Sequence, residues 1–296
     1  MHIAGLVVLL LVTLQTPAFQ SDPPHICSMC DEWNKPREPF RIYGNSYYVG
    51  TDGLSAILIA GDAGHILLDG GLEQSAALIE ASIRKLGFRI ADVKLILNSH
   101  GHYDHAGGIS ALQRASGATV AASPSSADAL QRGENTPDDP QFGFGKAENG
   151  FPAVKQVRVV KDSETLRVGN LAITANFTPG HTPGSTAWTW QSCENGKCLN
   201  LVYADSLTAV SAPGFKYTAE PERVAAFRRS ITRVAELPCD IVVSTHPSAT
   251  GLDAKIQKRA ELKGAGPDPF VDHGCKAFAA GALKSLEARI AEEKKQ

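Results

Sequence analysis

Four side chains that can bind a metal ion lie within six consecutive residues, in the segment HGHYDH at residues 100–105. The segment follows an apolar run that is typical of a strand, so the strand end can direct all four to one place. His100 and His102 stand two apart in extended backbone and therefore face the same side, whereas Asp104 and His105 enter a helix and diverge toward a neighbouring position. This spacing suits two metal ions better than one.

Two later histidines have a similar setting. His181 lies in TPGHTPG and His246 in VVSTHP, each at the end of an apolar β run and next to Pro or Gly. Neutral imidazole and carboxylate are ligands that suit Zn²⁺, and a hydrolytic site needs three protein ligands per metal with one position left for water. The sequence therefore predicts a zinc hydrolase with six ligands: His100, His102, Asp104, His105, His181 and His246.

The composition is that of an ordinary globular protein. The chain has 296 residues, 43% hydrophobic content and a formal net charge of -2, which allows a substantial buried core. It has no long run of Lys and Arg, so we expect neither a nucleic-acid partner nor an anionic membrane surface. A small-molecule substrate fits the composition better.

The N-terminus predicts export. Residues 6–14 are apolar apart from Thr13, a stretch shorter than a membrane span, and Thr16-Pro17-Ala18 follows. This pattern is typical of a cleaved secretory signal, which we assign to residues 1–20, leaving 21–296 as a single mature domain without membrane attachment. The six cysteines, an even number, agree with an oxidising compartment.

Two cysteine pairs can be disulfides on the basis of their surroundings. Cys193 and Cys198 flank a turn-rich spacer between two strand-like runs and can clip a hairpin. Cys239 and Cys275 are far apart in the sequence and can tie the C-terminal helix to a strand. Both pairings are expected in an exported protein.

Cys27 and Cys30 form a CxxC motif, for which the sequence leaves the pairing open. A CxxC can indicate a zinc ligand pair or a redox motif, but no second CxxC and no βαβ pattern accompany it. A local or mispaired disulfide near the N-terminus is the favoured interpretation.

The hydrophobic pattern predicts an α+β protein with two similar halves. A linker at 133–152, rich in Gly, Pro, Asp and Asn, separates them and is typical of a lid or a disordered segment. Each half has strands followed by helices, which predicts helices on the outside of two packed sheets. Strands are predicted at 41–49, 55–60, 65–68, 94–98, 119–122, 157–160, 171–177, 186–191, 199–203 and 240–244, and helices at 73–86, 109–115, 125–131 and 221–236.

In these motifs the chain resembles the metallo-β-lactamase superfamily, in which HxHxDH follows a strand and later histidines lie in TPGHT and STHP segments. LDGG at 68–71, YADSL at 203–207 and the Cys239/Cys275 pair occur in the order and spacing of class B enzymes of subclass 3. The resemblance implies an αβ/βα sandwich, with two packed mixed sheets, helices on the outer faces and a dinuclear site at the sheet edges.

The resemblance also implies a division of the ligands. His100, His102 and His181 would hold the first of two Zn²⁺ ions, and Asp104, His105 and His246 the second. The activity implied is hydrolysis of the β-lactam amide of penicillins, cephalosporins and carbapenems by metal-bound hydroxide, which confers antibiotic resistance. Asp104 would be the catalytic residue that positions both metal and nucleophile, in a periplasmic monomer.

Substrate contacts are expected on two loops. Ser206 and Thr208 correspond to positions that, in the resemblance, orient water at the second zinc and bind the substrate carboxylate, although both can also be turn hydroxyls that cap backbone groups. Gln141, Phe142 and Phe144 in the linker are candidates for a lid over the substrate, with simple loop packing as the alternative.

Three other functions fit parts of the sequence. A hydroxyacyl-glutathione thioesterase or a lactonase of the same superfamily would use an Asp near Asp205 to bridge both metals. A secreted zinc-binding protein without turnover would need neither Asp104 beside His105 nor a long lid. A serine β-lactamase could use the SIRK tetrad at 82–85, but the chain lacks KTG and the tetrad lies in an amphipathic helix.

Overall fold

The computed structural model describes residues 19–295, so the predicted signal peptide lies outside the described residues except for its last two. The strands are β1 (Phe40–Tyr43), β2 (Ser46–Tyr48), β3 (Ile57–Ile59), β4 (His65–Leu68), β5 (Val93–Leu97), β6 (Thr119–Ala122), β7 (Val157–Val159), β8 (Thr165–Val168), β9 (Leu171–Phe177), β10 (Thr186–Glu194), β11 (Lys197–Ala204) and β12 (Ile241–Ser244). The helices are α1 (Cys30–Trp33), α2 (Ser75–Lys85), α3 (Tyr103–Ala106), α4 (Ile109–Ser116), α5 (Pro124–Arg132), α6 (Lys146–Asn149), α7 (Pro221–Glu236), α8 (Leu252–Leu262) and α9 (Cys275–Glu293).

These strands form two mixed sheets. The first has seven strands in the order β1 to β7, antiparallel from β1 to β4 and parallel from β4 to β7. The second has five strands in the order β12-β11-β10-β9-β8, antiparallel except for the parallel pair of β11 and β12. Two mixed sheets with helices are the architecture that the sequence predicts.

Alternation along the strands places the core between the sheets. In β4, Ile66 and Leu68 contribute to the hydrophobic cluster between the sheets, while Leu67 joins a second cluster with α2 and α4. Likewise Tyr203 of β11 faces the intersheet cluster, and Val202 packs on the other side with α7 and α9. Because neighbouring strand residues point to opposite faces, both faces of each sheet are covered. The result is a four-layer arrangement with helices outside.

Hydrogen bonds join the two sheets at one edge. The backbone N–H of Thr186 donates to Ser99 O at 2.9 Å, and the Trp188 indole donates to Asn98 O at 3.1 Å. On the other side of this edge, Ser55 N–H donates to Thr245 O at 2.8 Å. These contacts fix the loops that follow β5 and β12, which carry the predicted metal ligands.

The predicted strand at 41–49 is wrong in one respect. The run divides into β1 and β2, which form a hairpin around Gly44. Gly44 has φ of +51°, and a Cβ there would lie 2.5 Å from Ser192 Oγ. The turn needs a glycine, and the alternating pattern on either side hides it.

The linker at 133–152 has defined structure, with short helices and several buried residues. It contains a 3₁₀ turn at Phe142–Phe144 and the helix α6, while Asp139 and Phe151 are buried. Its backbone also contacts the second half of the chain, since Ala212 N–H donates to Pro140 O at 2.9 Å.

All six cysteines form disulfides. The two pairs expected from the sequence are Cys193–Cys198 and Cys239–Cys275, and Cys27 pairs with Cys30. Cys193–Cys198 closes the β10–β11 hairpin, and Cys239–Cys275 joins the segment before β12 to the start of α9. Within residues 19–295, no helix has both the length and the apolar character needed to cross a membrane.

Candidate metal centre

The predicted ligands converge because the strands that precede them end at the same edge. His100 follows β5, His181 follows β9 and His246 follows β12. In the second sheet β9 and β12 both run parallel to β11, so their carboxyl ends meet. Asp104 and His105 lie in α3, which begins two residues after Gly101. The four segments thus bring six side chains to one edge of the sandwich.

Three histidines form the first donor set. His100, His102 and His181 offer ring nitrogens that all lie within 4.8 Å of one another. Their ring centroids are 4.6 to 4.9 Å apart and their planes are nearly perpendicular. All three residues are buried. This is the grouping predicted for the first metal ion.

The second donor set adjoins the first. Asp104 and His105, together with His100, also offer donor atoms within 4.8 Å of one another. Oδ2 of Asp104 lies 3.2 Å from Nε2 of His105 and 3.3 Å from Nε2 of His246. His246 therefore completes a trio with Asp104 and His105, although its side chain is more exposed than theirs.

Oxygen acceptors orient four of the histidine rings. Nδ1 of His100 lies 2.6 Å from Oδ1 of Asp205, and Nδ1 of His181 lies 2.8 Å from Thr208 O. Nε2 of His102 lies 3.1 Å from Oδ2 of Asp139. A proton on each of these nitrogens donates to the acceptor and leaves the other ring nitrogen with a free lone pair.

His246 follows the same rule, with Nδ1 3.3 Å from Gly53 O. Its Nε2 is then the free nitrogen, on the side of Asp104. In each of the four rings, oxygen contacts at one nitrogen leave the other nitrogen available to a metal ion.

The donor set fits a metal ion. Nε2 of His100 is buried without a hydrogen-bond partner in the described part of the chain, a costly state that a metal ion would relieve. Burial and the neighbouring imidazoles lower the pKa of His181 to about 3, and burial lowers the pKa of His100 well below its ordinary value. Both rings are therefore neutral at physiological pH, as metal binding requires.

The charges of the second set are arranged differently. Although burial opposes it, the Asp104 carboxylate raises the pKa of His105 to about 9. The same contact and that with His246 hold the pKa of Asp104 well below its ordinary value, against the effect of burial. Asp104 is thus an anion at the centre of the trio, a charge that favours a cation.

Sequence reasoning missed two carboxylates that support the ligands. Asp139 lies in the linker, contacts His102 and accepts the Gln141 N–H at 2.7 Å. Asp205, which the sequence suggests only as a bridging ligand of a thioesterase, is fully buried behind His100. Its position directly after the apolar strand β11, at the same edge as the ligands, is the signal that could have identified it.

The predicted substrate residues line the same edge. Ser206 is buried, with its hydroxyl 2.9 Å from that of Thr245. Thr208 is exposed, and its carbonyl oxygen and hydroxyl both contact Nδ1 of His181. Gln141 is half-buried and reaches the site through the backbone bond to Asp139.

The SIRK tetrad is remote from these residues. Ser82 lies on α2, in the helical layer outside the first sheet, and is buried there. Lys85 forms an ion pair with Glu38 rather than contacting Ser82. The tetrad has no activated serine and takes no part in the site.

Comparison with known proteins agrees with this geometry. The family model of the metallo-beta-lactamase superfamily matches residues 49–195. Among solved structures, the Rm3 metallo-beta-lactamase is 50% identical, with a TM-score of 0.86, over 90% of this chain and 99% of that one. The metallo-beta-lactamase SMB-1 is 48% identical, with a TM-score of 0.84, over 88% and 99%.

Two further relatives define the breadth of the similarity. MEM-A1, a subclass B3 metallo-beta-lactamase from a soil metagenome library, is 48% identical, with a TM-score of 0.84, over 89% of this chain and 99% of that one. A hydroxyacylglutathione hydrolase of Anaeromyxobacter dehalogenans (strain 2CP-C) is 28% identical over 60% of this chain, and the match spans 54% of that protein. On fold, motif and whole-length similarity, the chain belongs to the metallo-β-lactamase superfamily.

Proposed function

We propose that this protein is a zinc-dependent β-lactamase that hydrolyses the β-lactam amide bond and so confers antibiotic resistance. The similarity to proteins described as metallo-β-lactamases extends over almost their whole length at 48–50% identity. The six clustered donors support two Zn²⁺ ions per chain, because each trio leaves its metal an open position for water or substrate.

In this proposal His100, His102 and His181 hold the first zinc, and Asp104, His105 and His246 hold the second. When bound, the metals supply Lewis acidity and lower the pKa of water to near neutrality. Asp104 has one oxygen among the ring nitrogens, and its carboxylate can accept a hydrogen bond from the attacking water. It is therefore the candidate catalytic residue, which positions the nucleophile beside the amide carbonyl.

The remaining residues orient the substrate. Thr208 is exposed and its hydroxyl can donate to the substrate carboxylate, and the hydroxyl of Ser206 can orient water, since Thr245 holds it in place. The Gln141 side chain and the neighbouring Phe142 are candidates to cover the substrate, because Asp139 of the same linker contacts His102 and accepts the Gln141 backbone N–H. These groups are polar or aromatic, which suits a small ring compound that carries a carboxylate.

The position of Asp205 favours a β-lactam over a thioester as the substrate. Its Oδ1 lies 2.6 Å from Nδ1 of His100, on the outer side of the ring. A carboxylate in that position orients His100 and is not available to bridge two metal ions. The thioesterase alternative requires the bridging role.

The test is to assay one purified preparation with a chromogenic cephalosporin and with a glutathione thioester, each with and without added Zn²⁺. We expect rapid zinc-dependent opening of the cephalosporin and little thioester hydrolysis. Preferential thioester hydrolysis would favour the alternative hydrolase, and no turnover with bound zinc would favour a zinc-binding protein. A His246→Ala variant controls for contaminating activity.

We propose further that residues 1–20 are a signal peptide and that 21–296 form one periplasmic, monomeric domain. The apolar N-terminal stretch and the three disulfides support export. Mass spectrometry of the protein from a periplasmic extract would identify the first residue and the molecular mass of the mature chain.

A further inference from the structure

His246 is more exposed than its partners in the second donor set. Its side chain is 30% exposed, whereas that of Asp104 is 10% exposed and that of His105 is fully buried. It also follows β12, a short strand at the edge of the second sheet, and so belongs to a different segment of the chain from HGHYDH. The position of its ring must therefore be fixed by a few specific contacts.

Two of these contacts come from outside its own segment. Gly53 O lies 3.3 Å from Nδ1 of His246, and the Trp33 ring lies 5.4 Å from the imidazole, centroid to centroid. Gly53 and Trp33 also pack directly on each other, since a Cβ on Gly53 would lie 2.6 Å from the Trp33 Cα. Gly53 and Trp33 together contact one side of the His246 ring.

Backbone hydrogen bonds join Trp33 to the loop that carries Gly53. The Gly53 N–H donates to Trp33 O at 3.1 Å, and the Thr51 hydroxyl donates to the same oxygen at 2.6 Å. The Asp52 N–H donates to Lys35 O at 2.9 Å. The loop and the segment around Trp33 therefore support each other.

This segment, residues 25–35, is here named the N-terminal arm. The ring of His25 stacks on Tyr103, with centroids 4.0 Å apart and planes inclined by 13°. Tyr103 lies between the predicted ligands His102 and Asp104. The arm thus contacts both ligand-bearing segments of the second metal position.

The Cys27–Cys30 disulfide is a crosslink within the arm, which constrains the local conformation at the start of α1. Cys30 begins the four-residue helix α1 and is buried in a cluster with Leu54 and Leu72. Helices this short have no stability of their own in water, so α1 depends on the crosslink, on this small cluster and on the hydrogen bonds to Trp33 O. Trp33 is the last residue of α1, which makes its position dependent on the same crosslink.

We propose that the N-terminal arm is a positioning element for the second metal ion, in which Trp33 positions His246 and the Cys27–Cys30 disulfide holds Trp33. The inference rests on the proposed metal-binding function. Loss of groups that orient a ligand typically costs 10- to 100-fold in metal affinity. The CxxC motif thus serves the metal centre without binding metal.

The test is a zinc titration of the metal-free protein in competition with a chromophoric chelator, which resolves the two dissociation constants without an activity assay. The variants are Trp33→Ala, Trp33→Phe and the double substitution Cys27→Ser/Cys30→Ser. The matched control is Cys193→Ser/Cys198→Ser, which removes a disulfide at the hairpin end of β11, opposite to the end followed by Asp205.

We expect Trp33→Ala and Cys27→Ser/Cys30→Ser to weaken binding of one zinc by about tenfold or more and to leave the other unchanged. Trp33→Phe should restore most of the affinity, and the control should bind both ions like the parent. Unchanged affinities in both test variants, or an equal loss of both ions, would overturn the inference. A parent that binds no zinc would overturn the proposed function itself.

Discussion

At the scale of single residues, the site depends on which nitrogen of each imidazole is free. Asp205, Asp139 and backbone carbonyl oxygens accept hydrogen bonds from the outer N–H groups of four histidines. Each acceptor therefore selects one tautomer and one ring orientation before any metal arrives. The arrangement lowers the entropic cost of assembling the ligands, since the rings are already aimed at common points.

Asp205 offers the clearest test of this role. We expect Asp205→Ala to weaken zinc binding by about 10- to 100-fold, because Nδ1 of His100 loses its acceptor inside a buried site. Competition with a chelator measures the change. Asp253→Asn, at an exposed carboxylate that pairs with Arg37, is the matched control and should bind zinc like the parent. Equal affinities in Asp205→Ala and the parent would contradict the role.

At the scale of elements, α9 supports the segment that carries the predicted substrate residues. Arg289 of α9 donates to Ala209 O at 3.2 Å and to Ser211 Oγ at 2.8 Å. Glu293, one turn further, accepts from Arg289 and from the Thr218 N–H at 2.8 Å. The C-terminal helix and the loop after β11 are therefore one packed unit.

Glu293 makes this docking dependent on pH. Although burial opposes it, hydrogen bonds from Thr218, Arg289 and Tyr217 hold the pKa of Glu293 below its ordinary value. A lowered pKa in the folded state contributes stability above the unfolded-state pKa, and this is lost as the pH falls through the folded-state value. Glu293→Gln should cost about 1–2 kcal/mol at neutral pH.

Urea unfolding of Glu293→Gln and the parent at several pH values measures this difference in the free energy of unfolding. The difference in the free energy of unfolding between the parent and Glu293→Gln should become smaller in acid, where the parent carboxylate becomes protonated. A difference that stays constant between neutral and acid pH would mean that the charge of the carboxylate contributes nothing to stability. Glu287→Gln, at an exposed carboxylate of the same helix that pairs with Arg228, provides the control.

The two longer-range crosslinks should differ in their effect on stability. Cys239–Cys275 spans 36 residues and Cys193–Cys198 only 5. Because the entropy of an unfolded chain falls more when a longer loop is closed, removal should cost about 4 kcal/mol for the first and about 2 kcal/mol for the second. Denaturant unfolding of the two double Cys→Ser variants compares them, and the opposite order would refute the entropic account.

At the scale of the whole molecule, the sequence predicts those features that repeat with a strand or helix period. Alternation and apolar runs identify most of both sheets, and His100, His181 and His246 are recognisable because each ends such a run. Features that do not repeat along the chain cannot be predicted in this way. Strand β8 has only four residues, of which one is buried, and α8 is largely exposed, so neither has a strong hydrophobic signal.

The sequence also does not predict the contacts by which distant residues orient the ligands. Asp139 lies in a loop whose composition indicates only irregular structure, and its contact with His102 depends on how that loop folds back. Trp33 and Gly53 meet His246 across 193 residues of chain or more. Spacing identifies donors within one segment, whereas contacts between distant segments require the coordinates.

In the proposed mechanism, the nucleophile and the electrophile both depend on bound zinc. The most direct measurement is cephalosporin hydrolysis before chelation, after chelation and after Zn²⁺ is restored, with an inhibitor that acylates active-site serines tested in parallel. We expect chelation to abolish turnover, zinc to restore it and the acylating inhibitor to have no effect, with Asp104→Asn nearly inactive and Ser82→Ala like the parent. Activity that survives chelation, together with an inactive Ser82→Ala variant, would contradict the account.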